Sequence, residues 1–205
     1  MDAIVNRYEK SDLLRPPAFY WCGLILIALS GQFGMAASWP EPMLDDANLV
    51  DVFFGDAQHV WAVGDRGVIC HSNNGGKSWH RQNSTVDERL NSIFFLDPHN
   101  GWAVGGKTLA YTHNSTAIVL KTREGGRHWV RTEKTLLPSL KRIKMFDSEN
   151  GWALGDSSPL FPPGLFRTVN GGHTWSTIRE GTPGRWLTGD FYDPTGGLVA
   201  GYDGA

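Results

Sequence analysis

The sequence predicts an all-β chain, a β-propeller of four-stranded blades with about three and a half blades present. Two motifs alternate along it in register, and no helical period interrupts them. The first is a Gly-Trp-Ala-Val-Gly strand, seen as Val60-Trp61-Ala62-Val63-Gly64, Gly101-Trp102-Ala103-Val104-Gly105 and Gly151-Trp152-Ala153-Leu154-Gly155, with a weaker fourth copy at Gly197-Leu198-Val199-Ala200-Gly201. The second is a Gly-Gly turn closed by Trp, which follows each of the first three copies. A period of about 40–50 residues carrying four short strands is the size of one propeller blade. An open β-solenoid of the same units is the alternative.

Each unit opens on a β-rich run: Leu49–Phe54, Leu90–Phe95, Leu140–Phe146 and Leu187–Tyr192. An acidic turn then leads into the Trp strand, as in Asp97-Pro98-His99-Asn100, Asp147-Ser148-Glu149-Asn150 and Asp193-Pro194-Thr195-Gly196. Asp, Asn, Pro and Gly at these places make hairpin connections. The units run over 49–89, 90–139, 140–186 and 187–205, the last holding only its first two strands.

The turn motif reads Ser72-Asn73-Asn74-Gly75-Gly76-Lys77-Ser78-Trp79, Thr122-Arg123-Glu124-Gly125-Gly126-Arg127-His128-Trp129 and Thr168-Val169-Asn170-Gly171-Gly172-His173-Thr174-Trp175. Asn bonds nearby amides, and the paired glycines accept positive φ. Ser72, Thr122 and Thr168 are placed to tie the turn with a hydroxyl. Each Trp is expected to return into the stack between sheets. The expected role of all these residues is structural.

This pattern resembles the Asp-box, or bacterial neuraminidase (BNR) repeat. Its pairing with the preceding Gly-Trp-Ala-Val-Gly strand resembles the photosystem II stability and assembly factor family, over roughly residues 49–203. The resemblance implies Asp-box-like turns in an exported seven-bladed propeller, which in photosynthetic organisms escorts newly made reaction-centre protein during assembly. The chain departs from the family at Glu124, where Asp or Asn is usual, and its repeats stop about half-way round.

The 205 residues carry a formal net charge of -2, with 25 Gly, 9 Trp and 10 Phe. Near-neutrality excludes the strong basic excess of a nucleic-acid binder, while abundant glycine and aromatics suit a turn-rich β protein. The run 18–35, AFYWCGLILIALSGQFGM, is uncharged, and the small residues Gly34, Ala36, Ala37 and Ser38 follow. Residues 1–38 therefore read as a secretory signal or an uncleaved membrane anchor, and 39–48 as a linker. Both readings place the repeats outside the cytoplasm. With Cys22 in that apolar run, Cys70 stands alone as a small buried hydrophobe.

An enzyme is the competing class, because Asp-boxes also decorate sialidases and some endo-acting glucanases. A glycosidase needs two facing carboxylates. Asp65, Asp156 and Asp203 follow the Trp strand at equivalent places, which repeated turn chemistry also explains. Tyr111, Tyr192 and Tyr202 have no nucleophile context, and the seven histidines show no metal-like spacing. No catalytic residue, metal or cofactor is expected.

The expected function is binding of a protein partner, with a membrane complex under assembly as one candidate; a glycan-binding or glycan-cleaving propeller is the alternative. The distance from strand Trp to turn Trp varies, from 61 to 79, from 102 to 129 and from 152 to 175. The extra residues lie between second and third strands, whose connections share one face of a propeller. Tyr111, His113, Leu160 and Phe161 are the candidates for a contact surface there. Propellers close with about 4–8 blades. The sequence therefore predicts either a piece of a longer propeller, or self-association through uncovered sheet faces at the first and last units.

Overall fold

The computed structural model describes residues 47–108, 115–132, 136–178 and 185–202, all within the compact unit Met35–Ala205. The apolar run 18–35, nearly all of the linker, Tyr111, His113 and Asp203 lie outside the described residues.

Three four-stranded antiparallel sheets and one two-stranded sheet follow each other along the chain. The first holds β1 (Leu49–Phe54), β2 (Val60–Gly64), β3 (Ile69–Ser72) and β4 (His80–Gln82). The second holds β5 (Arg89–Phe95), β6 (Gly101–Thr108), β7 (Ser115–Thr122) and β8 (Val130–Arg131). The third holds β9 (Leu140–Met145), β10 (Asn150–Gly155), β11 (Leu165–Val169) and β12 (Ser176–Thr177). The fourth pairs β13 (Arg185–Asp193) with β14 (Gly196–Tyr202). Within each sheet the strands lie in sequence order, the simple meander of a propeller blade.

The second strands β6 and β10 are apolar on both sides because sheets cover both sides, and β2 is buried as well. One buried cluster joins the first two blades through Trp61, Val63, Phe95, Ile118 and Trp129. Another joins the second and third through Trp102, Val104, Leu140, Met145 and Phe166. The repeated Trp is the seam residue. Trp61 lies flat on Phe95 of the next blade, with centroids 3.9 Å apart, and Trp152 on Phe191 at 5.2 Å. Trp102 and Trp152 also donate their indole N–H to carbonyls of the following blade, Gly171 at 2.9 Å and Pro194 at 3.0 Å.

The glycine before the Trp has a steric cause. A Cβ on Gly101 would enter the Phe95 ring, and one on Gly151 would meet the Met145 sulfur. The end of each first strand folds its bulky side chain over that glycine. In the first blade Val60 takes the place and pairs with Phe54, whose side chain turns outward and is exposed.

The far side of the first blade corrects one expectation. Val60, Ala62, Cys70 and Trp79 are all buried there, with Ala47, Leu49 and Val52 packed on them. That sheet face is covered. The fourth sheet differs, with Tyr192, Leu198 and Tyr202 exposed.

The first strands gather about a common axis. Asp51 on β1 accepts the Ile93 amide of β5 at 3.0 Å and pairs with Arg142 of β9 at 2.7 Å. Lys144 of β9 reaches Asp190 of β13 at 2.8 Å. These bridges border a cavity of about 350 Å³.

Every hairpin between first and second strands is tied by an aspartate. Asp56 accepts the amides of Gln58 and His59, Asp97 those of His99 and Asn100, Asp147 those of Glu149 and Asn150, and Asp193 those of Thr195 and Gly196. The sequence pattern showed the last three. Asp56 adds a fourth.

These bonds favour the ionised form. The His59 amide foremost holds Asp56 at about 2. Asp97 is held below the usual carboxylate range chiefly by the Asn100 side chain, Asp147 by the Asn150 amide and Asp193 by the Thr195 hydroxyl. A folded value below the unfolded one stabilises above the unfolded value, and that stability is lost as pH falls through the folded value. Stability from the four turns is therefore complete above about pH 4 and declines toward pH 2. Acid titration followed by tryptophan fluorescence is expected to show this decline, with Asp147→Ala destabilising the protein more at pH 7 than at pH 2.5.

Candidate protein-binding groove

The Gly-Gly turns and the first hairpins share one face of the blades. The first box glycine in each copy donates its amide to the hairpin of its own blade: Gly75 to Gln58, Gly125 to His99 and Gly171 to Glu149, at 2.8–2.9 Å. All six box glycines have positive φ. In the first and third boxes the hydroxyl of Ser72 or Thr168 takes the second glycine amide at 2.8 and 2.9 Å. The Asn74 and Asn170 side chains then bridge to Ser78 and Thr174. Trp79 and Trp175 donate to Gly76 and Gly172 of their own turns. Trp79 is fully buried and Trp175 half-buried.

The second box departs from this pattern because Glu124 is one methylene longer than Asn. Thr122 still accepts the Gly126 amide at 2.9 Å, but the Glu124 carboxylate turns out to His128 at 2.7 Å. Trp129 looks to the neighbouring blade and donates to Gln82 Oε1 at 3.1 Å, while Gln82 Nε2 donates to the Gly125 carbonyl at 2.9 Å.

The connections between second and third strands emerge at the opposite ends of the strands. There the loop 156–164 folds on itself, with Ser158 and Phe161 exchanging backbone hydrogen bonds at 3.2 and 3.0 Å and Gly164 closing the turn onto Phe161. The two side chains at its tip part company. Phe161 turns in and packs edge-on against Phe166, with centroids 5.5 Å apart. Leu160 points out and is 79% exposed.

Leu160 stands on the rim of a groove of about 730 Å³, together with Leu136, Pro138, Trp186, Leu187 and Tyr202. Leu136 is 93% exposed. Its floor is polar and fully engaged. Asp156 pairs with Lys141 at 2.9 Å and accepts the Ser115 hydroxyl at 3.0 Å. Ser115 accepts the Ser139 amide, and Lys141 also reaches the Trp186 carbonyl at 2.8 Å. Trp186 donates its indole N–H to the Pro163 carbonyl. Three blades are thus locked beneath an apolar rim. Leu136 and Pro138 come from the link between second and third blades, and Trp186 and Leu187 from β13. The Leu136-Leu137-Pro138 run in a connecting segment was the available sequence signal for this rim.

The carboxylates that a glycosidase reading requires are held in structural pairs. Asp156 lies in the floor just described, and Asp65 pairs with Arg89 of the next blade at 3.0 Å and accepts from Asn48. Among the described residues no group of three His, Cys, Asp or Glu is arranged to hold a metal. Cys70 is buried, which pushes its thiol up to about 11.

A family model described as photosynthesis system II assembly factor YCF48 matches residues 33–135, half of the chain. The chain belongs to that family. It is 30% identical over 59 residues to the chloroplastic photosystem II stability/assembly factor HCF136 of Arabidopsis thaliana, a match covering 28% of this chain and 15% of that protein. Among solved structures, it is similar to YCF48 bound to D1 peptide, at TM-score 0.53 and 24% identity, over 67% of this chain and 41% of that one. The GH74 enzyme of Niastella koreensis shares the fold at TM-score 0.54 and 10% identity, over 70% of this chain and 24% of the enzyme. The chain thus spans about two fifths of the solved YCF48 and a smaller share of the other two.

Proposed function

We propose that this chain is a non-enzymatic, exported assembly factor that holds a protein segment in the groove between its third and fourth sheets. The observation that carries the reading is the groove itself. Leu136, Leu160, Leu187 and Tyr202 are exposed side by side over a floor whose polar groups already satisfy one another. A rim of this kind gains by apolar contact, roughly 25 cal/mol per Å² buried, and its floor needs no rearrangement on binding. Family membership supports a protein as ligand, and the relative solved with a D1 peptide makes that peptide the first probe. The apolar run 18–35 supports export, as a signal or an anchor.

Hydrogen exchange on the 205-residue chain, with and without D1 peptide, tests the reading. Slower exchange is expected in 156–164, 136–140 and 185–188, with no change in the Gly-Gly turns. Protection confined to the box face would move the site and sink the groove.

A further inference from the structure

The three seams between blades are not chemically alike. At the second seam, Lys121 stands across the strand pair from Trp102. Its ammonium lies 4.9 Å from the indole centroid and donates to the Gly171 carbonyl at 3.3 Å, beside the Trp102 N–H. At the first seam the same register position, opposite Trp61, is His71. The carbonyl equivalent to Gly171 is Gly125, and Gln82 already holds it. Trp61 Nε1 and His71 Nε2 are both buried without a hydrogen-bond partner.

His71 sits in a train of rings that crosses the seam. It lies flat on Trp61 at 4.5 Å and 14°, Trp61 lies on Phe95 at 3.9 Å, and Phe95 meets Trp129 edge-on at 5.9 Å. His59 stands beside both rings, 5.7 Å from His71 and 6.2 Å from Trp61. The titratable groups around it are His59, which Asp56 holds at 2.9 Å, and His80, its cross-strand neighbour on β4. Arg81 follows on that strand.

We propose that the first seam is an acid-sensitive joint, and that His71 is the group that makes it so. The neutral ring is at home flat against the Trp61 indole. A protonated ring bears N–H at both nitrogens, and Nε2 lies buried with no acceptor. Accepting the proton therefore sets a charge with a buried, unaccepted N–H against the face of Trp61. Burial, with the charges of His59 and His80 adding to it, holds His71 well below its ordinary 6.5, at about 4. A folded value below the unfolded one in a base means that the unfolded chain takes up the proton first. The stability in question is full above about pH 6.5 and declines as pH falls toward 4. This window lies above that of the turn aspartates.

The test is the urea midpoint of the 205-residue chain at pH 7.5, 6.5, 5.5 and 4.5. Wild type is expected to lose stability below pH 6.5, with a slope approaching one proton taken up on unfolding. His71→Phe is expected to flatten that decline, while His59→Gln and His80→Gln keep it. Imidazole NMR of wild type supplies the second readout, in which the His71 ring is expected to titrate well below pH 6. A flat wild-type profile, a decline undiminished in His71→Phe, or a His71 ring titrating near 6.5 would each overturn the proposal.

Discussion

Replacing Trp102 by Ala is expected to cost about 3–5 kcal/mol, as for other large aromatics removed from a core. The indole is fully buried between the second and third blades. It supplies three things at once: the filling of the seam, the N–H bond to the Gly171 carbonyl and the ring face beneath Lys121. Burial already holds the Lys121 ammonium below its ordinary value, and deleting the ring leaves that cation beside a void. At roughly 2–4 °C per kcal/mol for a domain of this size, the melting temperature should fall by about 6–20 °C. Trp102→Phe separates the contributions. It keeps most of the volume and loses the hydrogen bond, which is worth about 0.5–1.5 kcal/mol. Trp61→Phe is the control, since its N–H has no partner to lose. Urea unfolding of the three variants checks this. Equal losses in Trp102→Phe and Trp61→Phe would show that the bond to Gly171 contributes nothing.

The fold was legible because two independent patterns repeat in register, and each repeated residue meets a repeated constraint. The glycine of Gly-Trp lies under the side chain that ends the first strand, as Gly101 lies under Phe95. The trailing glycine approaches backbone, so that a Cβ on Gly105 would strike the Arg89 carbonyl. Constraints of this kind leave a trace at one position in every copy. What breaks the repeat leaves a fainter one. Glu124 was visible as a departure, but the Gln82 bridge between blades at the same turn depends on a residue 43 positions from Gly125. Trp61 Nε1 and His71 Nε2, both without partners, lie at the same seam.

The groove was only half legible, for a related reason. Loop-length variation pointed to the face that carries Leu160. Phe161, equally apolar, lines the same groove while packing edge-on against Phe166. Leu136, from the link between second and third blades, and Trp186 and Leu187, from β13, meet only in three dimensions. Their polar floor joins Ser115, Lys141 and Asp156, residues that carry no common motif. Asp156 looked like a repeated carboxylate at the place of Asp65. The two occur together because both brace a neighbouring strand, each through a cation of its own.

The groove makes the central claim directly measurable. Leu136 and Leu160 are exposed and touch none of the buried clusters, so charging them leaves the seams intact. Fully covering a leucine is worth about 1.5–3 kcal/mol, and a carboxylate in its place adds a desolvation cost. The double variant Leu136→Glu/Leu160→Glu is therefore expected to weaken binding of labelled D1 peptide by roughly 100-fold or more, read by fluorescence anisotropy, with the urea midpoint unchanged within about 0.5 kcal/mol. Peptide affinity equal to wild type in a variant that still melts like wild type would contradict the account.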